Sequence, residues 1–174
     1  MQPTTIRRAD GKEETLPKYE KHMLSDAEGW FPEDFNTWET DVLNAELKRS
    51  DSVAWYRNPS RASQDSLGVT YEDGHTINMV RPDFIFFAQL PDSTVVADII
   101  DPHGTQFSDS IPKLRGLARY AATAGKHYRR IDAVAKVDDV FKVLDLKEVK
   151  VREAIESATS INELYSSNIA ANYV

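Results

Sequence analysis

The chain has 174 residues, 41% of them hydrophobic, with no cysteine and a formal net charge of −7. These figures fit one domain with an ordinary core; they exclude a disordered chain, a disulfide scaffold and thiolate metal sites. No apolar run reaches the length of a bilayer helix, and the acidic balance argues against gripping nucleic acid by bulk charge. The polar start MQPTTIRRADGKEE carries no signal-peptide pattern, so a cytoplasmic protein is expected, which the lack of cysteine also fits.

Residues 1 to 30 show little periodicity and read as a linker or irregular lead-in, packed by Tyr19, Met23 and Leu24. Residues 31 to 174 read as a single domain. From 32 to 50 the pattern is helical, with Pro32 in the first turn and Glu33 and Asp34 at the positive helix end. Phe35, Trp38, Val42, Leu43, Ala45 and Leu47 share a broad apolar face, and Glu39 and Glu46 fall inside that arc. A carboxylate there either pairs with Arg or Lys or helps to hold a cation. Residues 52 to 56 read as a strand. Trp55 and Tyr56, beside Arg57 and Asn58, suit either a core strand or a surface that stacks on DNA. After a polar loop, residues 69 to 71 and 76 to 80 flank Asp73-Gly74 as a hairpin.

The stretch RPDFIFFAQLPDSTVVADIIDPHG, 81 to 104, reads as two strands folded back on each other about Pro91-Asp92-Ser93. Strands this apolar lie in a covered sheet. Yet Asp83 opens the first, and Asp98 and Asp101 lie within and at the end of the second. Carboxylates there are costly unless a cation meets them, and a divalent metal is a common answer. The turn decides the pairing: a two-residue turn sets Asp83 on the face of Asp98, a three-residue turn on that of Asp101 and His103. The plainer readings are backbone bonding for Asp83, a structural salt bridge for Asp98, and a type I turn at Asp101-Pro102-His103-Gly104.

Ser108 or Asp109 can cap the next helix, which Gly125 ends; Ile111, Leu114, Leu117, Ala118, Ala121 and Ala124 form its buried stripe, with Lys113 and Tyr120 on one border. A strand follows over 127 to 137, then two helices near 146 to 158 and 161 to 172 that cover a sheet face. Arg57, Arg61, Arg81, Lys113 and Arg115 are among the cations near this core, so a local basic cleft is compatible with the acidic total. His22, His75 and His127 have no metal-ligand spacing and read as surface residues. No phosphate-cradling or dinucleotide motif occurs, so any ATP-driven work must come from another domain or chain.

Pro82-Asp83 followed by acids on the next strand resembles the PD-(D/E)xK nuclease superfamily. More closely, WYRNPSR (55 to 61), RPDFIFF (81 to 87), DIIDPHG (98 to 104) and the helix containing Lys113 and Tyr120 resemble the C-terminal nuclease-like domain of type III restriction subunits and DEAD-box-like helicases, over roughly residues 30 to 135. The resemblance implies an α/β restriction-endonuclease-like core, a mixed central sheet flanked by helices in the order α-β-β-β-α-β, with C-terminal helices added. It implies a metal-dependent DNA endonuclease-like domain that belongs to, or partners, a helicase, restriction or phage-defence system. Mg²⁺ (or Mn²⁺) is then expected on Asp83, on Asp101 or Asp98, and on Glu39, with Glu46 in reserve. The resemblance makes Asp83, Asp101 and Glu39 the expected catalytic acids. The superfamily's lysine is missing, leaving His103 in its place, Lys113 displaced onto the helix, or no substitute. Tyr56, Arg57, Asn58 and Arg61 are expected to contact DNA, and a membrane is not an expected partner. The alternative is an inactive nuclease-fold module that binds DNA or a protein; a weaker one is a hydrolase using Asp101 and His103 on a non-nucleic substrate.

Overall fold

The computed structural model describes residues 4–105 and 110–173; the cap expected at Ser108 or Asp109 lies outside them. Residues 4–30 are more ordered than their sequence suggests. β1 (Thr5–Arg7) pairs with β2 (Glu13–Thr15), and β3 (Lys18–Glu20) with β4 (Trp30–Pro32), each antiparallel. Phe31 is buried beside Trp55 and Tyr19 packs on it, whereas Met23 and Leu24, expected to do this packing, are 59% and 60% exposed.

Pro32 ends β4 and does not begin the helix. α1 (Thr37–Leu47) starts later because Asn36 and Glu39 form a capping box: Asn36 Oδ1 accepts the Glu39 N–H and Glu39 Oε2 accepts the Asn36 N–H, both at 2.9 Å. Then come β5 (Ser52–Arg57) and the hairpin β6 (Val69–Asp73) with β7 (Thr76–Val80), turned at Gly74, whose φ is +60°. The central pair is β8 (Phe84–Gln89) and β9 (Val95–Pro102). α2 (Ser110–Ala124) and a 3-10 turn (Gly125–His127) cross over to β10 (Arg130–Val137). The rest is β11 (Val140–Asp145), α3 (Val149–Ser157), α4 (Ile161–Ser166) and β12 (Ala171–Asn172).

The main sheet is mixed and six-stranded, in the order β12-β11-β10-β9-β8-β5. β9 and β10 are parallel, joined by the α2 crossover that parallel strands require, and the other neighbours are antiparallel. Two strands of this sheet were not expected from sequence. β11 hairpins onto β10, and the helix expected over 161 to 172 stops at Ser166, after which the chain returns as β12 to pair with β11. Asp101-Pro102 is not a turn: Asp101 pairs with Ala133 and Pro102 with Val134, extending β9 past the start of β8.

Two cores flank the sheet. On one side Ile99, Ile131 and Leu144 pack with Leu114, Leu117, Ile155 and Tyr165; on the other Phe84, Phe86, Ile100 and Val134 pack with Val42, Leu43 and Trp55. Alternation along β9 and β10 feeds both, as a sheet covered on two faces requires. The β6–β7 hairpin stays outside the sheet and lies on α2, where a Cβ at Gly116 would stand 2.5 Å from Tyr71 Cβ. No helix among the described residues is long and apolar enough to cross a membrane.

Candidate functional site

Gln89 pairs with Val95, so the turn holds residues 90 to 94, an odd number. The ladder then runs to Phe84 opposite Ile100, and one step further Asp83 faces Asp101. Loop parity therefore decides between the two candidate acids. The Asp83 N–H donates to Asp101 Oδ1 at 3.1 Å. Burial and the Asp101 charge push the Asp83 carboxyl up to about 7, against the opposing charge of Arg57.

Arg57, expected to contact DNA, serves as a counter-ion to Asp83 and Glu39. Its Nη1 lies 2.6 Å from Asp83 Oδ1 as a charge contact without hydrogen-bond alignment, and its Nη2 donates to Glu39 Oε1 at 2.6 Å. The guanidinium also lies over the rings of Phe35 and Phe84, at 5.5 and 5.2 Å. Glu39, expected on a metal, has one oxygen on Arg57 and the other in the α1 capping box. Arg57 bridges it to Asp83.

Asn58 is also placed differently from the expected DNA contact. At 1% exposure, its Nδ2 donates to Pro82 O (2.7 Å) and Leu67 O (2.9 Å), while its Oδ1 accepts the Leu67 N–H (2.8 Å). The amide clamps the loop after β5 against the start of β8. Tyr56 is partly buried and donates to Asp65 O at 3.1 Å, and Arg61 is exposed. Trp55 is fully buried, with Nε1 donating to Glu20 O at 2.7 Å. His22, expected at the surface, is buried and stacked on Phe31, and burial pushes it down to about 4.

Asp98 takes no part in the acid pair. Alternation turns it to the opposite face from Asp101, where it is fully buried under two arginines. Its Oδ2 accepts from Arg130 Nε at 3.1 Å, its Oδ1 accepts the Arg130 N–H at 3.1 Å, and Arg129 grips both oxygens. Glu46 joins this network through Arg130 Nη2 (2.6 Å) and the Tyr173 hydroxyl (2.6 Å). Neither acid is a ligand candidate.

His103 occupies the place where the resembled pattern has lysine, but both ring nitrogens face protein groups. Nε2 lies 3.1 Å from the Tyr165 hydroxyl, and Nδ1 lies 3.3 Å from Asp101 O and 3.7 Å from Asp101 Oδ2. Burial and the charges of Asp101 and Asp132 hold the Tyr165 hydroxyl well above its usual range. Since the Asp101 carbonyl can only accept, the geometry suits an N–H on His103 Nδ1, with Nε2 accepting from the Tyr165 hydroxyl.

A cleft of about 260 Å³ opens at this end of the sheet, lined by Asp83, Asp101, His103, Lys113, Arg81 and Ser60 among others. A larger hollow of about 640 Å³ lies beside the turn between β8 and β9, at the far end of those strands and away from the acid pair. Among the described residues no group of three or more His, Cys, Asp or Glu converges as a metal cage. The pair Asp83 and Asp101 nevertheless offers hard oxygens beside an open cleft, the donor set Mg²⁺ accepts when waters and a substrate phosphate fill the rest of its shell.

Arg81, counted in the sequence among the cations near the core, lines this cleft, whereas sequence reasoning missed Ser60 and Tyr165. Tyr165 lies 62 residues beyond His103 on a short helix with ordinary apolar spacing, and nothing in its neighbourhood signals the contact.

The profile of the YagJ family matches residues 20–174. The Protein YagJ of Escherichia coli (strain K12) is 42% identical over 170 residues, covering 98% of this chain and 69% of that relative. No solved structure matches the chain significantly. On the extent of that match, the chain belongs to the YagJ family.

Proposed function

We propose that this domain is a metal-dependent DNA endonuclease-like module of the PD-(D/E)xK type, acting as part of or beside a helicase-like motor in a restriction or phage-defence setting. The observation that carries the reading is Asp83 set opposite Asp101 at the mouth of a cleft that also holds Lys113. The order α1, β5, β8, β9, α2, β10, with β9 and β10 parallel, supports a restriction-endonuclease-like core.

In this reading Asp83 and Asp101 hold Mg²⁺ or Mn²⁺. The chemistry such an ion supplies is polarisation of a phosphodiester and a lowered pKa for an attacking water. Lys113 brings the positive charge that the missing lysine would have provided, from α2 instead of β9. Arg57 keeps Asp83 oriented and shares its charge with Glu39, while His103 steadies Asp101.

The test incubates the purified chain with supercoiled and single-stranded DNA in Mg²⁺ or Mn²⁺, beside Asp83→Asn and Asp101→Asn. Cutting by the wild type and by neither variant is expected; equal cutting by all three sinks the proposal. A second reading, an inactive nuclease-fold module that binds DNA or a protein, is favoured by one observation: Arg57 already supplies a cation to Asp83. DNA binding without cleavage in either metal selects it.

A further inference from the structure

Arg81 lines the cleft and has no assigned role. Arg81 links β7 to β8, two residues before Asp83, and its Nε is buried yet meets no hydrogen-bond acceptor among the described residues. A desolvated donor of this kind calls for an acceptor, since nearly all buried polar groups are paired. The cleft is also lined by Ser60, from the loop after β5, and Lys113, from the first turns of α2. Three different elements thus bring donors to the cleft that Asp83 and Asp101 share.

We infer that Arg81, with Ser60 and Lys113, forms a phosphate-binding subsite that takes the phosphodiester backbone of a DNA strand. A phosphate oxygen is a strong acceptor for a guanidinium and also suits a hydroxyl and an ammonium. Placed there, the backbone lies against the acid pair. Arg57 already offsets Glu39 and Asp83, which lessens the repulsion an incoming phosphate meets. A chain with net charge −7 needs local donors of this kind, because its overall field repels DNA. The choice of DNA as ligand rests on the nuclease-like reading; the existence of an anion subsite rests on Arg81.

The experiment measures binding of a fluorescein-labelled single-stranded deoxyoligonucleotide by anisotropy, in EDTA, across a salt series. Arg81→Gln is expected to weaken binding about tenfold. It is also expected to lower the slope of log affinity against log salt by about 0.7, one phosphate contact on a single strand. Arg81→Lys is expected to restore most of the slope, and Asp83→Asn to bind at least as tightly as the wild type, since it removes a negative charge. If Arg81→Gln loses its fold, Lys113→Gln reports on the same subsite by the same slope.

An unchanged affinity and slope in Arg81→Gln, or no binding by the wild type, overturns the subsite. Full competition by inorganic phosphate at matched phosphate concentration overturns the assignment to a DNA strand. Cleavage in Mg²⁺ is scored separately. The subsite failing while Asp83-dependent cutting persists leaves the nuclease reading intact; an Arg81-dependent slope with no cutting in either metal removes that reading and keeps the subsite.

Discussion

The Tyr165 hydroxyl lies 3.1 Å from His103 Nε2, tying α4, near the end of the chain, to the strand that carries Asp101. The contact fixes the ring: His103 is held between Tyr165 and Asp101. Tyr165→Phe is expected to cost about 1 kcal/mol of stability through the lost hydrogen bond. Nitrogen-15 NMR of the imidazole is expected to show the Nδ1–H tautomer in the wild type and a mixture in the variant. The same single tautomer in both would show that Tyr165 does not set the ring.

Asp98→Ala is expected to destabilise the fold by about 3–5 kcal/mol, because it strips the buried counter-charge from Arg129 and Arg130. Urea unfolding measures it. Any DNA binding or cleavage per folded molecule should survive, since Asp98 faces away from the cleft. A selective loss of activity with stability unchanged would return Asp98 to the site.

Asp83 supplies a pH signature. An unfolded aspartate titrates near 3.9, whereas in the fold this carboxyl is pushed up to about 7. Between about pH 4 and 7 the folded chain therefore keeps a proton that the unfolded chain releases, so this group's contribution to stability falls as pH rises through that window. Asp132, also pushed up to about 7, acts in the same direction, and buried His22, pushed down to about 4, acts against it between about 4 and 6.5. The signature is thus the difference between the wild type and Asp83→Asn: the variant gains relative stability from pH 4 to 7. If Mg²⁺ binds Asp83, its affinity should rise through the same range as the proton leaves. Parallel stability curves for the two proteins would place the Asp83 titration elsewhere.

Gly116→Ala tests how the hairpin β6–β7 is held. The new Cβ would stand 2.5 Å from Tyr71 Cβ, so the hairpin must move off α2. Overpacking of this kind costs about 1–3 kcal/mol. Thermal melting is expected to show the loss, and hydrogen exchange to place it in residues 69 to 80.

The sequence by itself determined the central hairpin, the two helices either side of it and the strand that became β10, because apolar periodicity, Gly and Pro positions and polar breaks are local signals. It also singled out Asp83, whose carboxyl stands at the start of an apolar strand. It did not reveal β12, whose pairing with β11 depends on a strand some thirty residues away, nor the hairpins before α1, whose few buried side chains show no regular period. The fate of each acid was decided in three dimensions. Loop parity chose Asp101 over Asp98, and Arg57 claimed Glu39 across the sheet end. Tyr165 claimed His103. A carboxylate, an imidazole or a guanidinium looks the same in sequence whether it faces solvent, a cation or a buried partner; only folding sets its neighbours, and the neighbours fix its charge and its chemistry.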